Sequence, residues 1–226
     1  DLPPFVQDTK PAFTEYDVND RYTWDKCPLY DGKSLETGSF ARVLVAYKRG
    51  VPFVKQHVDE MLVALGAQAG DLSVLQNTLG RVAARQVETL YIATLMKEWV
   101  VELCEAIKSG DSEYFRAPET GDGEGTGFWE APRGALYHSE KVKGGKITDY
   151  QIIIPSTWNL APHDPQGNYG PLEQALIGVP VADVEKPINA LRTVHSFDPC
   201  TACAVHIVEP KTGKKFETVT SPWGVK

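Results

Sequence analysis

The stretch "DLSVLQNTLGRVAARQVETLYIATLMKEWVVELCEAIKSG" constrains this chain more than any other. Leu75, Leu79, Val82, Val87, Leu90, Leu95, Trp99 and Leu103 recur in it at helical intervals. The spacing predicts a helix of about thirty residues stopped by Gly110, a length that belongs in a helical bundle. Upstream, "PFVKQHVDEMLVALGA" sets Phe53, Val54, His57, Val58, Met61, Leu62 and Leu65 along one stripe. Pro52 in its first turn and Gly66 near its end mark the bounds of a second helix. Ala41 to Tyr47 starts another, which Gly50 and Pro52 interrupt. His57 lies on the apolar stripe and is expected to be a satisfied interface residue rather than a ligand. Cys104, within the long helix, is expected to be a buried small hydrophobe.

The character changes at Ala117. "APETGDGEGTGFWEAPRG" reads as a glycine-rich loop, and it lacks the G-x-x-x-x-G-K-[ST] pattern of a phosphate cradle. Two strand-like runs follow, "ALYHSEKV" and "ITDYQIIIP", joined by "KGGK" in a predicted hairpin. A loop-rich stretch holds one short helix near Pro171 to Leu176, and "INALRTVHSF" forms a last helix leading to Asp198, Pro199 and Cys200. Residues 1 to 40 show little periodicity and are expected to be mostly irregular. The fold class predicted is α+β: a long-helix bundle over 41–110 and a loop-rich region with a β-hairpin over 117–226, together one domain of 1–226.

The 226 residues, 42% of them hydrophobic, suffice for a real core. A net charge of −7 excludes the basic footprint of a nucleic-acid binder. No apolar run reaches membrane-spanning length. The N-terminal "DLPPFVQDTK" has neither the basic nor the apolar region of a secretory signal, so none is expected.

Only four cysteines are present, too few for a disulfide scaffold. Cys27 reads as a loop residue without a chemical role. Cys200 and Cys203, followed by His206, form C-x2-C-x2-H in "HSFDPCTACAVHIVEP". A redox pair of the thioredoxin kind opens a helix, whereas this one follows a helix. A self-contained zinc site needs four ligands, usually two such pairs, and the chain supplies one. Two thiolates do suit a soft metal such as nickel, iron, copper(I) or zinc. A metal here needs further donors from another chain or from small molecules.

Several phrases, in order, resemble the carboxy-terminal half of the large subunit of a [NiFe] hydrogenase of the membrane-associated or periplasmic uptake group. They are "YTWDKCPLYDGKSLETGSFARVLVAY", "TLGRVAAR", "GFWEAPRGAL", "YQIIIPSTWN", "YGPLEQALIGVPVAD" and "LRTVHSFDPCTACAVH". The resemblance implies a nickel–iron centre between four thiolates, with CO and cyanide on the iron. By position, Cys200 resembles the terminal nickel ligand and Cys203 the bridging thiolate. His206 and the backbone carbonyl of Ile152 resemble ligands of a nearby Mg2+. Arg133 resembles the arginine over the open metal position, Pro132 shapes that pocket, Ser156 resembles the serine that hydrogen-bonds a cyanide, and Asp198 resembles the carboxylate that orients Arg133. The reading of Arg133 and Asp198 without the family is a structural salt bridge.

The implied reaction is heterolytic H2 oxidation, and the proton acceptor stays open between the Cys200 thiolate and Arg133, whose guanidinium almost never deprotonates. Electrons leave through iron–sulfur clusters, whose cysteines this chain lacks, so an iron–sulfur small subunit is implied. The family's first cysteine pair, of R-x-C-G-x-C type, is absent. A second chain supplying that N-terminal half, in a split large subunit, is the expectation. In the family a maturation endopeptidase cuts after the motif histidine, yet Ile207 to Lys226 persist here. "YHSEKV" and His163 also depart from the commoner wording. The competing classes are a non-catalytic assembly protein that kept the fold, or a zinc-stabilised interaction module. The resemblance places the chain on the periplasmic or membrane-associated side.

Overall fold

The computed structural model describes residues 27–111, 113–115, 117, 121–164, 166–200, 204–208 and 215–219, the last two stretches as backbone. The described residues fall into two compact units, Thr37–Pro155 and 27–36 with 156 onward.

In the first unit, helices α1 (Ser39–Lys48), α2 (Pro52–Ala64) and α3 (Thr78–Lys108) pack on one another. All three stop the same way. A glycine with φ of 73° (Gly50), 81° (Gly66) or 87° (Gly110) turns the chain out of the helix. Its amide and the next one return to carbonyls three and five residues back, as in Gly66 N to Val63 O at 3.0 Å and Ala67 N to Leu62 O at 2.9 Å. α3 begins at Asn77, whose side chain accepts from the Gly80 amide at 3.0 Å. It follows a 3₁₀ turn, Leu72–Leu75. His57 is satisfied within α2: its Nδ1 lies 2.8 Å from the Phe53 carbonyl, and its ring stacks on Phe53.

The core joins Val43, Val54, Val58, Leu62, Leu75, Ala84 and Val87. A fully buried leucine such as Leu62 contributes roughly 1.5–3 kcal/mol. Beyond Val87 the long helix is another matter. Leu90, Met96, Trp99, Val100, Leu103 and Ile107 are all exposed, as are Leu79 and Val82. Cys104 is exposed as well, so the expectation that it is buried is overturned. The reason is length. At about 1.5 Å per residue, the 31 residues of α3 outrun the 10 of α1 and the 13 of α2.

An antiparallel sheet of order β1-β2-β3 completes this unit: β1 (Gly123–Ala131), β2 (Gly134–Lys143) and β3 (Lys146–Ile153). The β2–β3 hairpin turns at Gly144 and Gly145, both at positive φ, as "KGGK" predicts. β1 corrects the sequence reading, which has a loop there. Gly123, Gly125 and Gly127 alternate with Glu124, Thr126 and Phe128 and pair in register with β2, from Gly123↔Val142 to Ala131↔Gly134. Phe128 and Tyr137, opposite each other, bring their rings within 4.9 Å.

The second unit carries most of α4 (Pro155–Asn159), then α5 (Pro171–Leu176), α6 (Ile188–Ser196), and a hairpin of β4 (Ala204–Val208) and β5 (Lys215–Val219). α5 and α6 match the sequence reading; α4 and the last hairpin do not figure in it. Asp164 staples the connection between α4 and α5. Its carboxylate is buried and accepts from the Asn168 side chain at 2.8 Å and from the amides of Gln166 and Asn168 at 2.9 and 2.8 Å. The Asn168 side chain and these amides hold the carboxyl below the usual aspartate range. Among the described residues no helix is long and apolar enough to cross a membrane.

Candidate metal centre

Pro132 and Arg133 form the whole connection between β1 and β2, because Ala131 pairs directly with Gly134. The proline ring fixes one φ of this two-residue turn. Pro132 is exposed, Arg133 half-buried and Gly134 buried. The turn is pressed against the residues leading into α1. A Cβ on Gly38 would lie 2.8 Å from the Arg133 carbonyl oxygen, and one on Gly134 only 2.3 Å from Thr37 Oγ1. Neither position has room for a Cβ, so both require glycine. In the same unit Ile152 sits on β3 opposite His138, and its carbonyl accepts from Gln151 Nε2 at 3.2 Å.

In the second unit α6 ends as the other helices do, with one change. The position taken elsewhere by glycine is Asp198, at φ 52°. Its amide returns to the His195 carbonyl at 2.9 Å, and Pro199, lacking an N–H, cannot make the second return bond. A non-glycine residue in this conformation carries strain of order 1 kcal/mol, and aspartate tolerates it better than most. The chain therefore leaves α6 sharply and delivers Cys200, an exposed free thiol. The Cys200 amide donates to Ser156 Oγ at 3.1 Å, across a separation of 44 residues, and Ser156 is buried near the start of α4. Accepting that bond leaves the hydroxyl proton available for another acceptor.

Cys203 lies outside the described residues. His206 is the third residue of β4, its backbone opposite Glu217, and the strand continues through Ile207 opposite Phe216. Ser156, Asp198 and Cys200 thus share the second unit, while Pro132, Arg133 and Ile152 belong to the first. Among the described residues, which exclude Cys203, no three His, Cys, Asp or Glu side chains gather around one point. The Cys27 thiol is pushed up by burial and by the charges of Asp164 and Glu173, so it stays protonated and is a poor ligand. Sequence reasoning missed Arg42 and Glu88, which hold the Pro132–Arg133 turn from α1 and α3. Their only sequence signal is a charge set within each helical stretch.

The chemistry of these donors fits a soft metal. Cysteines at positions 200 and 203 would supply sulfur, a serine hydroxyl accepts from the amide of the first of them, and further donors would have to come from outside this pair.

The profile of the nickel-dependent hydrogenase family matches residues 1–206. The chain is 40% identical over 215 residues to the uptake hydrogenase large subunit of Bradyrhizobium diazoefficiens, which covers 92% of this chain and 36% of that protein. It is 38% identical over 212 residues to the hydrogenase-2 large chain of Escherichia coli K12, covering 91% and 37%. Among solved structures, the Ni-Fe-Se hydrogenase of Desulfovibrio vulgaris Hildenborough in the reduced state superimposes with a TM-score of 0.66 at 37% identity, over 81% of this chain and 38% of that one. The chain spans little more than a third of the length of the relatives it matches. Its mixed helices and small antiparallel sheet agree with that fold. The chain belongs to the nickel-dependent hydrogenase family and corresponds to part of its large subunit.

Proposed function

We propose that this chain supplies Cys200 and Cys203 to a nickel–iron centre of an H2-oxidising enzyme, and surrounds that centre with Pro132, Arg133, Ser156 and Asp198. The observation that carries the reading is the bond from the Cys200 amide to Ser156 Oγ. It joins "PST" to "DPC", two phrases distant in sequence, on one side of the second unit. A bound nickel–iron pair, with CO and cyanide on the iron, would supply a redox-active Lewis acid at which H2 is polarised. The chain's own residues then have separate tasks. Cys200 holds metal as a thiolate and offers its sulfur as a proton acceptor. Ser156 keeps a hydroxyl proton to donate to an anionic ligand. Arg133 brings a permanent positive charge with a planar fork of donors, and the Asp198 carboxylate is the group suited to fix that plane. Pro132 excludes water with an apolar ring. His206 and the Ile152 carbonyl would hold a Mg2+ ion.

Two thiolates are half of such a donor set, so a second portion of large subunit must bring the rest. The uncovered apolar surface of α3 supports this: Leu90, Met96, Trp99, Val100, Leu103 and Ile107 all stand exposed along it. Apolar surface of that extent marks a place where another chain packs. Electrons would pass to iron–sulfur clusters of a small subunit. The assembly would lie on the periplasmic or membrane-associated side, with a maturation endopeptidase acting at the motif's end.

The test is elemental analysis and H2-dependent dye reduction of the purified native assembly, beside a Cys200→Ser/Cys203→Ser variant. Stoichiometric nickel, lost with activity in the variant, is the expected result. Zinc in place of nickel, or unchanged turnover in the variant, would overturn the proposal.

A further inference from the structure

The guanidinium of Arg42 is spent entirely on the ground beneath Arg133. Its Nε donates to Glu88 Oε1 at 2.5 Å and its Nη2 to Glu88 Oε2 at 2.9 Å, a bidentate pair. Nη1 donates to Glu130 Oε2 at 2.7 Å and to the Ala131 carbonyl at 2.9 Å, while Nη2 reaches the Pro132 carbonyl at 2.8 Å. Five donors thus meet five acceptors, and two of those are the carbonyls immediately before Arg133. Glu88 is itself fixed by Ser39, whose hydroxyl donates to Oε2 at 2.5 Å. The Arg42 and Glu88 side chains are only 23% and 21% exposed, whereas Glu130 is 53% exposed. The Arg133 carbonyl in turn rests against Gly38, the N-cap of α1. The two-residue turn is therefore gripped on three consecutive carbonyls, by Arg42 at two of them and by backbone packing at the third.

We infer that Arg42, braced by Glu88, is a positioning residue: it sets the Pro132–Arg133 turn, and through it the direction in which the Arg133 guanidinium is presented. The inference rests on the proposed role of Arg133. A plain salt bridge between α1 and α3 needs only the Glu88 contacts; the bonds to two main-chain carbonyls of a two-residue turn are what such a bridge would not require. Burial works against the Arg42 charge, but its bonds to Glu88 and Glu130 outweigh it, so the donor stays charged at any working pH. Lysine could not replace it, having three donors and no planar fork.

Arg42→Ala, Arg42→Lys, Glu88→Gln, Arg133→Lys and the double variant Arg42→Ala/Arg133→Lys are compared in the assembled enzyme. The measurements are nickel content, kcat and KM for H2, and amide hydrogen exchange of the peptide spanning 131–134. Arg42→Ala should lower kcat about 100-fold, the scale of loss for a misplacement near 1 Å, with KM and nickel unchanged. Exchange in that peptide should rise at least tenfold, and Arg42→Lys should recover little of either. In the Arg133→Lys background, Arg42→Ala should add almost no further loss, because it acts through the residue already changed. Unaltered exchange in 131–134 for both Arg42→Lys and Glu88→Gln, or losses that multiply in the double variant, would overturn the inference. Full turnover in Arg133→Lys would instead refute the role given to Arg133, and the exchange measurement would still decide whether Arg42 holds the turn. Should Arg42→Ala fail to assemble, Arg42→Lys and Glu88→Gln carry the same comparison.

Discussion

Gly80→Ala puts two opposing effects on one atom. Gly80 lies in the first turn of α3 with an ordinary helical backbone, and a helix interior favours alanine over glycine by about 1 kcal/mol. The added Cβ, however, would sit 1.9 Å from the Leu75 carbonyl oxygen, 2.4 Å from its carbon and 2.6 Å from its Cα. These are main-chain atoms and cannot swing aside. Leu75 is 1% exposed, and its carbonyl already accepts from the Asn77 amide at 2.8 Å, so the 3₁₀ turn and the cap of α3 must move together. Overpacking of this kind costs roughly 3 kcal/mol, which leaves a net loss of about 2 kcal/mol after the gain in propensity. With a urea dependence of about 2 kcal/mol per molar, the midpoint should fall by about 1 M. Urea unfolding followed by far-ultraviolet circular dichroism reads it directly, since α3 is the longest helix. Gly125→Ala is the control: a Cβ there meets nothing within 4 Å, and the midpoint should hardly move. A Gly80→Ala midpoint equal to or above the parent's would refute the reasoning.

Asp198→Gly should melt above Asp198→Ala by about 1–2 kcal/mol, because only glycine is free of the left-handed penalty at φ 52°; equal melting of the two would remove strain from the account of this turn. For Glu88, burial raises the pKa, but the hydrogen bonds from Arg42 and Ser39 more than reverse this and hold the carboxyl below the usual glutamate range. Its contribution is complete above the unfolded pKa of about 4.3 and is lost as pH falls through the lower folded value. Glu88→Gln should therefore flatten the acid limb of the stability profile below about pH 4.3, and a profile parallel to the parent's there would contradict the pairing. Phe216→Pro places a residue with no N–H and a fixed φ opposite Ile207 in the β4–β5 pair. It should speed proteolytic cutting between His206 and Ile207, and an unchanged rate would mean that the β4–β5 hairpin does not protect that bond.

The helices were legible in the sequence because their signals are local. Pro52, Gly66 and Gly110 stand where a helix starts or stops, and the structure puts them there. β1 was not legible, since its glycines carry no strand propensity and its order comes from pairing with β2. The fate of the apolar stripe on α3 was not legible either: periodicity reports that a surface is apolar, not which chain covers it. Of the candidate site, the motif phrases named Ser156 and Cys200, and the bond between them depends on a fold that brings residues 44 apart together. Arg42 and Glu88 stayed hidden for the same reason. Each is an ordinary helix charge until the fold brings α1, α3 and the β1–β2 turn together.

The greasy outer length of α3 bears on how such a protein is made. Water-facing leucine, tryptophan and valine along most of a rod invite clumping, so a newly synthesised copy has little time to find its counterpart. Production of the chain by itself should favour inclusion bodies, and co-production with a chain that covers this surface should favour soluble material.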